Sequence, residues 1–126
     1  MNWTLNPWLV KLRAQVDAEA PYRSKEWDGS IGDQVHAAKK SDHNPDEHGI
    51  VNAIDLTHDP KNNFNAATFA EALRLNRDPR LKYVIFDSRI FSSTVQPWAW
   101  RKYNGPPHDH HVHVSVGGDP VPWKIE

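Results

Sequence analysis

An α+β domain built on a small antiparallel sheet flanked by helices is the fold this sequence predicts, and three observations predict it. Apolar spacing changes along the chain in the order helix, helix, strand, helix, strands, a run of helical pattern giving way to a run of strand pattern. From Val112 onward the residues alternate, with Val112, Val114 and Val116 on one side and His111, His113 and Ser115 on the other, which is the period of a half-buried strand. A strand pattern over residues 82–87 is followed at once by another over 89–92, close enough to return antiparallel.

The elements follow in order. Asn6 caps and Pro7 opens a helix whose stripe of Trp8, Leu9, Leu12 and Val16 runs to about Ala20, where Pro21 stops it. Residues 21–24 read as a short extended piece, and Asp28-Gly29-Ser30 as a turn. Asp33 is placed to cap a brief helix through Lys39, with Val35 and Ala38 inward and His36 as a structural residue on it. A polar loop over 40–49 leads to a strand over 50–56, closed by Thr57-His58-Asp59-Pro60. Asn62-Asn63 leads into a helix over about 65–76, with Phe69, Ala72 and Leu73 inward, and 77–80 is a turn. After the strands over 82–87 and 89–92, residues 96–103 are aromatic and basic, and 104–107 form a loop feeding the histidine-rich strand. Residues 117–120 end that strand, leaving Trp123 to plug the tail.

Length and composition narrow the function. One hundred and twenty-six residues, 1–126, make one domain, large enough for a core without covalent staples. With no cysteine, neither a disulfide framework nor a thiolate zinc site is available, so any metal must be held by His, Asp or Glu. A net charge of −1 gives no electrostatic case for nucleic acid or an anionic membrane. No apolar run approaches the roughly 20 residues of a membrane span, so membrane insertion is not expected. The first residues lack the basic start and apolar stretch of a secretory signal, so synthesis in the cytoplasm is expected. Six Trp and ten Pro suggest a rigid, loop-rich domain with aromatic surface to spare.

Four of the eight histidines fall between His108 and His113. Imidazoles two apart on a strand share a face and can point at one metal ion or one reacting atom, although a surface His tract or a polar sheet face would give the same pattern. Asp55 sits inside a nearly apolar strand, and a buried carboxylate costs several kcal/mol unless it is paired, hydrogen-bonded or metal-bound. It asks for a partner. A carboxylate capping backbone amides at a strand end is the plainer explanation.

Together Ser41-x-His43, the strand Asp55 and His111-x-His113 resemble the ordered signature of the LAS zinc peptidoglycan peptidases. That family includes D-Ala-D-Ala carboxypeptidases, dipeptidases and phage L-alanyl-D-glutamate endolysins. The runs Ser41-Asp42-His43-Asn44-Pro45, Ala53-Ile54-Asp55-Leu56-Thr57-His58-Asp59-Pro60 and Lys82-Tyr83-Val84-Ile85-Phe86 are similar to endolysin-type domains of phages infecting actinobacteria, and the likeness extends from about Leu9 to Val116. The resemblance implies a hedgehog-like fold with Zn2+ held by His43, Asp55 and His113, and water in the fourth position. It implies His111 as general base, with His108 beside the zinc water and Arg23 binding a substrate carboxylate or the oxyanion. Relatives space the first His and the Asp more closely, by the interval that separates His48 from Asp55, so His48 competes with the favoured His43. Many relatives carry an acidic residue where His110 stands, and Asp109, one further back, is the second candidate base.

On the same resemblance the partner is a peptidoglycan stem or cross-link peptide, and the protein is a phage or prophage endolysin. It acts on the cell wall after holin-type release, or as a domain fused into a longer lysin. A monomer is expected, and the initial Met1 favours a complete chain. Trp98, Trp100, Arg89 and Arg101 are candidates to line a groove, edge packing being the favoured reading of the two Trp. Two alternatives stand beside the endopeptidase: a D,D-carboxypeptidase trimming a terminal D-Ala, and a non-catalytic zinc-binding cell-wall module.

Overall fold

The computed structural model describes residues 3–30 and 42–117. The expected helix over 33–39 with His36, together with Ser41 and the Trp123 plug, lies outside the described residues.

The first helix forms as its spacing predicts. α1 spans Pro7–Glu19, the Asn6 side chain accepts from the Trp8 amide at 3.0 Å, Pro7 opens the first turn, and Leu9, Leu12 and Val16 are buried. Just before it, Thr4–Leu5 (β1) pairs in parallel with Ile50–Val51 (β2). The strand expected over 50–56 is two strands, broken at Asn52: β2 runs with β1, and Ala53–Thr57 (β3) joins the main sheet. Asn52 makes the break by using its amide twice. Its Oδ1 accepts from Asn6 Nδ2 at 3.1 Å and its Nδ2 donates to Asp46 at 3.0 Å.

A short 3-10 turn over Pro60–Asn62 leads to α2, Ala66–Asn76, whose first amides are capped by the Asn65 side chain. Its buried line is Ala66, Ala70 and Leu73, and Phe69 packs on the flank of the core. Ala72, expected inward, is exposed, because it sits about 100° around the helix from Leu73. The helix stops at Arg77, in the left-handed region at φ 53°, whose amide returns to Leu73 O.

The strands Leu81–Phe86 (β4) and Arg89–Ser92 (β5) form an antiparallel hairpin. Asp87 and Ser88 both take positive φ, 53° and 61°, the backbone of a type I′ turn that matches strand twist. Arg101–Lys102 (β6), within the aromatic and basic segment, adds an edge strand to β5, and His111–Val116 (β7) closes the set. The sheet order is β3-β7-β4-β5-β6, antiparallel throughout, with β7 between β3 and β4.

This topology sorts residues by face. Ile54 and Leu56 of β3, Val84 and Phe86 of β4, Phe91 of β5, and Val112, Val114 and Val116 of β7 share one core with α1 and α2. Both described helices therefore flank the same side of the sheet. The opposite side carries Asp55, Thr57, His111, His113, Ser115 and Tyr83, since alternate residues point to opposite faces.

Candidate metal centre

Register places the first contact. In the β3–β7 ladder Asp55 stands directly opposite His113, and Thr57 opposite His111, so the four polar side chains emerge on the same face. On its other edge Asp55 pairs with Gly29, exchanging both backbone hydrogen bonds at 3.2 and 2.8 Å. The carboxylate is thus aimed by a strand held on both sides. His43 comes from the polar loop and meets it from outside the sheet.

The three groups converge tightly. His43 Nε2 lies 3.3 Å from Asp55 Oδ2 and 3.2 Å from His113 Nδ1, and His113 Nδ1 lies 3.1 Å from Asp55 Oδ1. His43 and His113 are buried. Each imidazole spends its remaining nitrogen on the protein: His43 Nδ1 donates to Ser30 O at 2.7 Å, and His113 Nε2 bonds Ser115 Oγ at 2.7 Å. The Tyr83 ring stacks on His113 with centroids 5.4 Å apart. His43, Asp55 and His113 form a half-enclosed group that can hold a metal ion, with one ligand atom from each.

Electrostatics point the same way. Burial works against an ionised Asp55, but hydrogen bonds and charge from His113 and His43 outweigh it and hold the carboxyl well below its usual range. Burial lowers His113 despite Asp55 beside it, whereas at His43 the Asp55 contact overcomes burial and raises it. One carboxylate faces two imidazoles, so without a cation the field favours a proton on His43. A divalent cation satisfies the same field.

His111 and His108 flank the group. His111 Nε2 is 3.6 Å from Asp55 Oδ2, and its Nδ1 is buried with no hydrogen-bond partner among the described residues. Burial lowers its pKa, so it stands neutral near pH 7 with a lone pair to offer. His108 takes φ 52°, its Nδ1 donates to Pro106 O at 2.7 Å, and its ring lies 5.2 Å from that of His111 and 5.7 Å from that of His113.

Other expected site residues fall elsewhere. His48 is exposed and turned toward Glu47 at 3.7 Å, so the geometry takes His43 and leaves His48 out. Asp109 is exposed with His110 3.7 Å away. His110 stacks on Trp27, centroids 4.8 Å apart, at the rim.

Arg23, expected to face a substrate, is enclosed by protein groups. Its guanidinium is fully buried, donating to Asp17, to both oxygens of Asp28 and to Ser24 O. It borders a cleft of about 350 Å³ that also reaches Asp55, but with its five N–H donors committed it has none for a substrate carboxylate.

Trp98 and Trp100 pack against Phe91 at the sheet edge, Trp100 Nε1 donates to Glu71 at 2.8 Å, and Arg89 lies over the Trp100 ring at 4.6 Å. The edge-packing reading of the pair holds. The sequence reading passed over Ser30, Tyr83 and Ser115 as site residues. Only Ser115 gave a signal, by sharing the face of His113 two residues on.

No family model, curated protein or solved structure matches this chain.

Proposed function

We propose that this chain is a zinc-dependent peptidase with a hedgehog-like fold that hydrolyses amide bonds in peptidoglycan stem or cross-link peptides, in the manner of a phage or prophage endolysin. The observation that carries the metal reading is the convergence of three donor side chains. A tetrahedral zinc with bonds of about 2.0–2.1 Å has ligand atoms about 3.3 Å apart. His43 Nε2 and His113 Nδ1 stand 3.2 Å apart, and each lies beside one oxygen of Asp55, Oδ2 at 3.3 Å and Oδ1 at 3.1 Å, with one ligand atom from each residue within 4.8 Å of the others. Two imidazoles and a carboxylate are a donor set suited to zinc, and three protein ligands leave a position for water.

Zinc bound there would supply Lewis acidity and a water acidified toward neutral pH. The chain's own residues do the rest. Ser30 O holds His43 in the tautomer that presents Nε2 inward, and Ser115 Oγ anchors the His113 ring at Nε2 so that Nδ1 faces inward. Neutral His111 takes a proton at a ring nitrogen and passes it to the leaving amine, and its 3.6 Å approach to Asp55 keeps the ring at the centre. His108 forms the adjoining wall. The peptidoglycan substrate rests on the resemblance of the ordered His43, Asp55, His111 and His113 set.

The test is digestion of purified cell wall and of a synthetic stem pentapeptide, following new amine termini and weighing the products. Internal cleavage of stem or cross-link by the wild type, absent in Asp55→Ala, supports the endopeptidase. Release of D-Ala alone would make it a D,D-carboxypeptidase, and zinc uptake with no new amine would make it a binding module.

A further inference from the structure

The buried Arg23 lies away from the three ligands, yet a continuous set of bonds joins it to them. Its guanidinium takes both oxygens of Asp28 at 2.9 and 2.8 Å and reaches Asp17 of α1 at 2.7 Å. Asp28 Oδ1 also accepts from the amide and hydroxyl of Thr57, at 2.7 and 2.8 Å, so this carboxylate stands where a neighbouring strand would pair with the end of β3. The next residue, Gly29, exchanges its backbone bonds with Asp55. The residue after that, Ser30, accepts from His43 Nδ1. Three consecutive residues thus make three links, to the edge of β3, to the backbone of one ligand and to the ring of another.

We infer that Arg23 is a positioning residue of the metal centre, clamping Asp28-Gly29-Ser30 onto β3 so that the Ser30 carbonyl holds His43 with Nε2 toward Asp55 and His113. The inference rests on reading His43, Asp55 and His113 as metal ligands. Residues 28–30 pair with β3 at one isolated bridge and belong to no strand of the sheet, so their register depends on side-chain bonds. A slip of one residue would remove the Ser30 carbonyl from His43. The ligand itself stands in a turn of the polar loop, outside the described strands. Arginine suits the task because its planar fork meets Asp28 with two parallel bonds while another edge reaches Asp17; a lysine ammonium offers a single point of attachment.

The test measures zinc affinity of the full chain by competition with a chelator, and the visible spectrum of the cobalt(II)-substituted protein, below the melting temperature of every variant. The wild type, Arg23→Met, Arg23→Lys and Asp28→Asn are compared with Phe91→Ala, a core variant remote from the ligands that is destabilised without touching this chain of bonds. Losing an outer support of a metal ligand costs about 10- to 100-fold in affinity. Arg23→Met is expected to show a loss of that size with an altered cobalt spectrum, Arg23→Lys a smaller loss, and Phe91→Ala neither.

Wild-type affinity and spectrum in Arg23→Met, or a loss no greater than in Phe91→Ala, would overturn the inference. Should Arg23→Met fail to fold, Asp28→Asn decides by the same two readings. A wild type that takes up no zinc would instead overturn the metal-centre reading, and this inference with it.

Discussion

The two faces of β3, β7 and β4 are built from the same strands and are comparably buried at the middle of β7, yet they are held in different ways. Val112 and Val114 are fully covered on the helix side, and His113 at 5 % exposure and Ser115 at 0 % are nearly as covered on the other. On the helix side any well-fitting apolar group serves, because burial there is non-directional and worth about 1.5–3 kcal/mol per large side chain. On the polar side each group needs a particular partner at a particular angle. A buried polar atom left without one costs about 1–3 kcal/mol. The difference teaches that burial alone does not tell a core from a site; what separates them is whether neighbours are interchangeable.

The sharpest break in the polar face is removal of one of the proposed metal ligands. Asp55→Ala and His113→Ala are each expected to lose bound metal and to fall to background hydrolysis together, read by metal content and amine release on the same samples. His111→Ala comes next. It removes no ligand, so it should keep the metal and lose about 10²- to 10⁴-fold in turnover. Full turnover in that variant would move the base elsewhere, with His108 the next to test by position.

A cut in the helix-facing side should do the converse. Phe91, fully buried beneath Trp98 and Trp100, should cost about 3–5 kcal/mol when replaced by Ala, with metal stoichiometry unchanged in the folded protein, as thermal melts and metal analysis would read.

A smaller effect separates the faces by pH. Burial opposes charge on Asp28, but bonds from Arg23 and from the Thr57 amide and hydroxyl outweigh it and lower its pKa. A carboxyl lowered on folding contributes stability that is fully present above its unfolded value, about 4, and is lost as pH falls through the folded value. Wild type should therefore lose more stability between pH 6 and pH 3 than Asp28→Asn, measured by denaturant melts. Equal slopes would mean that Asp28 is not held ionised by this network. Smallest of all, His48→Ala should leave metal content as it is, since His48 is exposed and 3.7 Å from Glu47.

Legibility in the sequence followed the same division. Alternation exposed β7, and Asn6 with Pro7, and Asn62-Asn63 before an apolar stripe, marked both described helices, because these signals are local. The two-residue strands β1 and β6 are too short to show a period and exist through their partners β2 and β5. The break at Asn52 was hidden because its cause lies in Asn6 and Asp46, distant in sequence. On the polar face, the chemistry of Asp55 was legible as a carboxylate in an apolar run, and that of His113 as one histidine of a facing pair. Their being opposite each other is a matter of register between strands far apart in the chain, which no local pattern states. The surroundings of Arg23 were hidden for a related reason: an Arg on an extended piece has no local sign of the two carboxylates, Asp17 and Asp28, that enclose it.

The measurement that bears most directly on the proposed metal centre is zinc content by plasma mass spectrometry on protein purified without a histidine tag, beside Asp55→Ala with its fold checked by circular dichroism. The arrangement of His43, Asp55 and His113 predicts about one zinc per chain in the wild type and none in the folded variant. A wild type that holds no metal after zinc is offered and the excess removed, or a variant that holds as much as the wild type, would contradict it.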